Sequence, residues 1–172
     1  MGKIPFMDLG AQIESLEPAI TNALKEVLEQ KSFIQGPAVE RFNREFLALH
    51  GGRFGVGCSN GTSAITVALR ALNVGPGDEV LVPNHTFFGT VEPIVEVGAK
   101  PVLVDIDEEY RQLDLKQAAK LVTAKTKGHR SLSTSTGCPS PMDQIMEFAR
   151  AHKLSVIEDC AQAHLAKWKG KA

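Results

Sequence analysis

The sequence has few of the residues that mark several protein classes. Its 172 residues include one tryptophan, one tyrosine and three cysteines. The cysteines Cys58, Cys138 and Cys160 are odd in number and form no CxxC pair, which disfavours a disulfide framework and favours a reducing, cytoplasmic setting. No apolar run approaches the roughly 20 residues of a membrane-spanning helix. The opening stretch MGKIPFMDLG lacks the apolar core of a secretory signal.

An excess of either charge is also missing. The formal net charge is −1, with 23% charged and 43% hydrophobic residues. This balance gives no electrostatic basis for binding nucleic acid or an anionic membrane, so we predict neither partner. We predict no metal site. The chain is long enough to form one globular domain of ordinary size.

The first 50 residues show the periodicity of helices. Apolar residues recur every three or four positions from Ile13 to Leu28, which predicts an amphipathic helix. Pro37 suits the first turn of a second helix, whose apolar face contains Val39, Phe42, Phe46 and Leu49. We therefore predict an N-terminal helical arm over residues 1–50.

From residue 54 the pattern changes to strands that alternate with helices. The predicted strands lie in FGVGCS, GPGDEVLVPNHTF, KPVLVDID and LSVIEDCAQA, and the predicted helices in SNGTSAITVALRAL, VEPIVEVGA, DLKQAAKLVT and PMDQIMEFARAHK. This alternation predicts parallel crossovers and a layered α/β domain over residues 51–172.

One segment breaks the alternation. The stretch GHRSLSTST, residues 128–136, lies where another core strand is expected, yet it is polar. A loop here is compatible with its composition but would skip one β step of the pattern.

The turn before the first helix of the α/β region could bind phosphate. Thr62 and Ser63 follow Asn60 and Gly61 at a helix N-terminus, where free N–H groups and the helix dipole attract anions. Simple N-capping is the competing interpretation. The glycines at 55, 57 and 61 resemble a dinucleotide fingerprint, but the third comes one residue too late.

Two further strand ends carry residues suited to a ligand. PNHTFFGT contains His85, Phe87 and Phe88, and an aromatic ring there either stacks on a planar ligand or belongs to the core. VIEDCAQAH places Asp159 and Gln162 after a buried strand. Asp159 either caps a turn or meets a ring N–H⁺, which would compensate the cost of burying its charge. A phosphate cradle, an aromatic plate and a carboxylate together match what pyridoxal phosphate requires.

These motifs carry a family resemblance over nearly the whole chain except residues 128–136. IPFMDLGAQ, SNGTSAITVALRAL, GPGDEVLVPNHTF, GAKPVLVDID and VIEDCAQAH resemble the DegT/DnrJ/EryC1/StrS family. Its members are pyridoxal-phosphate-dependent aminotransferases of nucleotide-linked keto sugars. The resemblance implies a three-layer, aspartate aminotransferase-like PLP-transferase fold (fold type I), a homodimer, and glutamate as the amino donor.

The resemblance also assigns roles to five residues. Thr62 and Ser63 would hold the cofactor phosphate, and Phe87 would stack on the pyridine ring. Asp159 would pair with the protonated ring nitrogen, and Gln162 would bind the phenolic oxygen. The DLGAQ opening is closer to members that act at a sugar C3 ketone.

No lysine of this sequence matches the catalytic lysine of the family. The family's Schiff-base lysine lies beyond the position of Ala172, and Lys167, Lys169 and Lys171 match a surface turn instead. We therefore expect an N-terminal portion without the C-terminal half and small domain, inactive alone and prone to aggregate through an exposed sheet edge. The alternatives are a related sugar dehydratase, a non-catalytic dimerisation module, and a dinucleotide-binding half-domain.

The polar segment has a hypothetical genetic origin. The corresponding family strand typically reads Ala-Ile-Val-Pro-Val-His-Leu-Tyr-Gly. With suitable codons, three single-base insertions in a gene for that strand produce residues 128–137 as they stand here. Resequencing the gene tests this hypothesis, and bases that cannot be realigned in this way would dispose of it.

Overall fold

The computed structural model describes residues 4–131 and 139–170, with the backbone alone at 128–131. The chain divides into two compact units, residues 1–55 and 56–172. The proposed boundary of a separate arm at residue 50 stays a prediction. No helix in the described ranges is long and apolar enough to cross a membrane.

The first unit contains three helices, α1 (Leu9–Leu16), α2 (Ala19–Gln30) and α3 (Pro37–Leu49). Asp8 caps α1 by accepting a hydrogen bond from the Ala11 N–H at 3.2 Å. The continuous helical pattern predicted from Ile13 to Leu28 is divided in two. Glu17 is extended, because a residue that precedes proline is disfavoured in the helical conformation.

The helices of the first unit bury none of their residues within this chain. Their exposed apolar side chains include Ile13, Leu16, Ile20, Leu24, Leu28, Val39, Phe42 and Leu49. The predicted apolar faces are therefore present and remain open to solvent. Exposed apolar area of this extent is typical of a surface that binds another protein chain.

The second unit alternates helices and strands. Its elements are α4 (Gly61–Ala71), β1 (Glu79–Pro83), α5 (Phe88–Glu96), β2 (Lys100–Val104), α6 (Leu115–Leu121), β3 (Thr126–Ser131), α7 (Met142–His152) and β4 (Ser155–Glu158). The strands form a sheet in the order β2-β1-β3-β4, and each pairing is parallel. The predicted α/β alternation is confirmed from α4 onward.

The strand predicted at residues 54–59 is wrong. These residues are exposed and unassigned to any strand. Gly55 and Gly57 have low β propensity, and a strand also requires a neighbour to pair with its backbone. The glycines at 55, 57 and 61 consequently lack the preceding strand that a dinucleotide site requires, so this alternative loses its structural context.

Strand β1 joins two apolar cores. All five of its residues are buried, and successive side chains point to opposite faces of the sheet. Val80 and Val82 pack in one cluster with Ile65, Leu69 and Ile94 from α4 and α5. Leu81 packs in the other, which contains Val104, Leu113, Ala118, Ala149 and Leu154. Helices on both faces of the sheet give the three layers that the family resemblance implies.

The polar segment begins as a strand. The backbone of β3 pairs with β1 at Val80↔Gly128 and Leu81↔His129, after a register shift at Glu79. It also pairs with β4 from Gly128↔Ser155 to Ser131↔Glu158. The β step expected here is therefore made by residues 126–131, whereas residues 132–136 of the polar stretch lie outside the described residues.

We predict that the core depends strongly on Leu81. Leu81 is 0% exposed on β1, whereas Leu103 on β2 is 56% exposed. Leu81→Ala leaves a cavity and should lower the free energy of unfolding by about 2–5 kcal/mol. Leu103→Ala, the matched control, should change it by roughly 0.5 kcal/mol. Urea denaturation followed by circular dichroism measures both; equal losses would contradict this assignment of the core.

A charged cluster holds the amino ends of β1 and β2. Glu79 is 8% exposed and accepts hydrogen bonds from the Thr123 hydroxyl at 2.6 Å and the Lys100 ammonium at 3.2 Å. The Thr123 hydrogen bond, followed by that from Lys100, lowers the pKa of the Glu79 carboxyl. The ionised form is therefore stabilised in the folded chain.

This cluster gives a pH dependence of stability. Because the pKa of Glu79 is lowered on folding, its contribution is present above the ordinary carboxyl pKa and is lost as the pH falls through the lowered value. Glu79→Gln should reduce the melting temperature near neutral pH, and the difference from wild type should shrink in acid. Glu147→Gln, an exposed change on α7, is the control. A difference that stays constant on acidification would refute the linkage.

Candidate functional site

Three segments carry the predicted site residues: the N-terminus of α4, the start of α5 and the segment after β4. Strands β1 and β4 belong to one parallel sheet, so their carboxyl ends, at Pro83 and Glu158, lie at the same edge. Ligands of open α/β sheets bind at this edge. The geometry at each segment decides what it can bind.

At the N-terminus of α4, the capping residue is distinct from the two residues that are predicted to bind phosphate. The Asn60 side chain accepts a hydrogen bond from the Ser63 N–H at 2.8 Å, so Asn60 is the cap. The Ser59 hydroxyl donates to the Ser63 hydroxyl at 3.1 Å. Thr62 and Ser63 are half-buried in the first turn. Their hydroxyls therefore do not cap the helix, and they provide additional polar groups at the positive end of its dipole.

Phe87 lies immediately before α5 and is not a core residue. Its backbone is extended, and its side chain is 75% exposed. The interpretation of this aromatic as core is therefore wrong. A flat apolar face held at the sheet edge is suited to stacking on a planar ring.

Gly89 brings the first two segments together. A Cβ atom at this buried position would lie 2.5 Å from the Thr62 Oγ1 and 2.6 Å from the Phe87 Cε1. The Thr62 hydroxyl and the Phe87 ring therefore approach the same point. The absence of a side chain at residue 89 leaves room between the N-terminus of α4 and an aromatic face.

Asp159 is joined to α5 by a long-range contact. One of its oxygens accepts a hydrogen bond from the Ala161 N–H at 3.1 Å. The other accepts one from the Thr90 hydroxyl at 3.4 Å. Asp159 therefore caps the following turn, which supports the first of its two proposed roles, and it also contacts a buried group on α5. Its pairing with a ring N–H⁺ stays a prediction. Sequence reasoning missed Thr90, although it follows Phe87 by three residues, about one helical turn.

The neighbouring thiol is not a candidate nucleophile. Burial, followed by the charges of Glu158 and Asp159, raises the pKa of Cys160 to about 11. A thiol with this pKa is almost entirely protonated near neutral pH, and a protonated thiol is a poor nucleophile.

Two other candidates are exposed. Gln162 lies in a turn in which the Ala163 N–H donates to the Cys160 carbonyl at 3.0 Å. His85 lies between β1 and α5. Among the described residues, no hydrogen bond joins either side chain to Thr62, Phe87 or Asp159. The role of Gln162 stays a prediction.

Lys167 and Lys169, the described lysines near the C-terminus, have surface environments. The Lys169 ammonium pairs with the Asp143 carboxylate, which also accepts a hydrogen bond from the Trp168 indole N–H at 2.8 Å. The Lys169 hydrogen bond is the main cause that lowers the pKa of Asp143. Lys167 is exposed, and Lys171 lies outside the described residues. An ammonium engaged by a carboxylate on α7 is a poor covalent catalyst.

The chain matches the DegT/DnrJ/EryC1/StrS aminotransferase family over residues 14–172. It therefore belongs to this family, which confirms the resemblance seen in its motifs. It is 42% identical over 168 residues to a pleiotropic regulatory protein of Geobacillus stearothermophilus. It is 40% identical to UDP-N-acetyl-3-dehydro-alpha-D-glucosamine 3-aminotransferase of Acidithiobacillus ferrooxidans. Each match covers 98% of this chain and 45% of the relative.

Solved structures agree with the fold. S. venezuelae DesV in complex with a ketimine intermediate is 35% identical, with a TM-score of 0.93 over 99% of this chain and 46% of that chain. E. coli GDP-4-keto-6-deoxy-D-mannose-3-dehydratase with bound hydrated PLP is 25% identical, with a TM-score of 0.81 over 88% of this chain and 40% of that chain. The second unit thus has the predicted PLP-transferase fold type I. The chain spans about half the length of these relatives.

Proposed function

We propose that this chain supplies the noncovalent part of a pyridoxal phosphate site in an aminotransferase of nucleotide-linked keto sugars. The proposal rests on the contacts that link the predicted site residues to one another. Thr62 and Phe87 meet at Gly89, and Thr90 contacts Asp159 from the same helix that follows Phe87. A helix N-terminus with hydroxyl groups, an aromatic face and a carboxylate are thereby connected through residues 87–90, which supports the proposal.

The residues present fit the three chemical parts of the cofactor. Hydroxyls of Thr62 and Ser63 at the positive end of α4 are suited to a phosphate. The exposed ring of Phe87 offers a stacking face, and the Asp159 carboxylate offers a counter-charge for a ring N–H⁺. Gln162 is assigned to the phenolic oxygen. The bound cofactor supplies an electron sink for carbanion chemistry at the amine carbon, which the side chains cannot supply.

We infer the reaction class from the activities of proteins that this chain resembles. One relative is an aminotransferase of a UDP-linked dehydro sugar, and another, from Streptomyces venezuelae, is a dTDP-3-amino-3,4,6-trideoxy-alpha-D-glucose transaminase. We assign a nucleotide-linked keto sugar as amino acceptor and glutamate as donor, in the cytoplasm. Lys169 is not assigned as the covalent lysine, in keeping with its surface pairing with Asp143.

A dehydratase is the second enzymatic candidate. The similarity to a GDP-4-keto-6-deoxy-D-mannose-3-dehydratase supports it at lower identity. Phosphate, ring and ring-nitrogen contacts serve either reaction, because both begin with the same cofactor. The identity of the group that moves protons at the cofactor would discriminate between them.

Binding of pyridoxamine 5′-phosphate tests the proposed site directly, since this form needs no lysine bond. We expect the wild-type chain to bind it in isothermal titration calorimetry. Asp159→Asn should weaken binding by about tenfold or more, because the ring N–H⁺ loses its charge partner. Asp143→Asn on α7 is the matched control and should bind like wild type. Absence of wild-type binding, or equal effects of the two variants, would contradict the site.

A second copy of the chain is the proposed partner of the first unit. The apolar side chains on α1, α2 and α3 are exposed, and an apolar surface of this kind favours self-association. This observation also supports the non-catalytic candidate, a dimerisation module that acts without cofactor.

Sedimentation velocity tests the partner. We expect the wild-type chain to form a dimer. Phe42→Ser, which replaces an exposed apolar side chain on α3 with a polar one, should weaken dimerisation by about tenfold or more. Arg44→Ser on the same helix is the control and should leave the dissociation constant nearly unchanged. A wild-type monomer at high concentration would rule out this use of the surface.

A further inference from the structure

Thr90 lies beside the proposed site but has no assigned role in it. It is 2% exposed, in the first turn of α5, and its hydroxyl lies 3.4 Å from the Asp159 carboxylate. A buried hydroxyl costs free energy unless it forms hydrogen bonds. A methyl-bearing residue of the same shape would avoid this cost, so the hydroxyl itself requires an explanation.

We propose that Thr90 is a positioning residue that orients the Asp159 carboxylate toward the ring nitrogen of the cofactor. This inference rests on the proposed function and deepens it. Thr90 does not touch the cofactor in this assignment; it acts through Asp159.

The two oxygens of Asp159 are bound from different elements. The Ala161 N–H donates to Oδ1 from the turn after β4, and the Thr90 hydroxyl donates to Oδ2 from α5. A carboxylate held at one oxygen can still rotate about its terminal torsion, which is broad and roughly two-fold. Donors at both oxygens restrict that rotation and so define the direction in which the charge is presented.

The same helical turn also fixes the aromatic face. The Thr90 N–H donates to the Phe87 carbonyl at 2.9 Å, so Thr90 and Phe87 are held together through the backbone. The Thr90 side chain then links this turn to Asp159. The backbone of the proposed ring-stacking residue and the proposed charge partner of the ring are thereby linked through Thr90, as the positioning of a planar ligand requires.

The length of the hydrogen bond limits the expected effect. A hydroxyl-to-carboxylate hydrogen bond is usually 2.5–3.0 Å long, so 3.4 Å corresponds to a weak one. Hydrogen bonds of this kind are often long without ligand and shorten in the complex. We therefore expect loss of the hydroxyl to weaken cofactor binding by about three- to tenfold.

The experiment compares two ligands in calorimetric titration. One is pyridoxamine 5′-phosphate, and the other is its analogue with carbon in place of the ring nitrogen. Thr90→Val should weaken binding of the first by about three- to tenfold and leave binding of the second unchanged. Thr90→Ser, which keeps the hydroxyl, should bind both like wild type. Thr90→Ala provides a smaller side chain without the hydroxyl, should Thr90→Val fail to fold.

A spectroscopic titration adds a readout that a merely structural role would not change. Absorbance of bound pyridoxamine 5′-phosphate against pH reports protonation of the ring nitrogen. Loss of the Thr90 hydroxyl should lower the pKa of that nitrogen, because the carboxylate no longer faces it consistently. Thr90→Ser should restore the wild-type curve. In a Thr90→Val/Asp159→Asn double variant, binding should be no weaker than in Asp159→Asn alone.

The outcomes separate the two proposals. A wild-type chain that binds neither ligand overturns the proposed function, and this inference with it. A wild-type chain that binds, with Thr90→Val and Thr90→Ala equal to wild type for both ligands, overturns the positioning role alone. Equal weakening for both ligands also overturns it, because the loss would then not depend on the ring nitrogen.

Discussion

The buried strand β1 is the constraint on which the second unit depends. Its side chains contribute to both apolar clusters, and its backbone pairs with β2 on one side and β3 on the other. The chain that leaves its carboxyl end leads directly to Phe87 and α5. Packing of α5 on the sheet therefore fixes where the aromatic face and the Thr90 hydroxyl can lie.

The candidate site is assembled from short local features joined by a few contacts distant in sequence. Capping of α4 by Asn60 is local, as is the turn in which Ala161 donates to Asp159. The joining contacts are the approach of Thr62 and Phe87 at Gly89 and the hydrogen bond from Thr90 to Asp159. Local chemistry thus sets what each segment can bind, and the sheet sets which segments act together.

This division explains what the sequence could predict. The positions of Thr62, Phe87 and Asp159 in the fold were predictable because each follows a recognisable turn or strand end, whereas their roles stay predictions. The helix interruption at Pro18 was missed because apolar periodicity continues across it. A strand was wrongly predicted at residues 54–59 because strand pairing is not a local property. Thr90 was missed because its partner is 69 residues away, and only the folded chain brings them together.

Strand β3 lies between the two halves of the site. It is the sheet's connection from β1, which leads to Phe87, to β4, which leads to Asp159. Its sequence TKGHRS is polar for an interior strand of a parallel sheet, and its register shifts at Glu79. Any change that separates β3 from β1 or β4 would therefore also separate the segment that carries Phe87 from the one that carries Asp159.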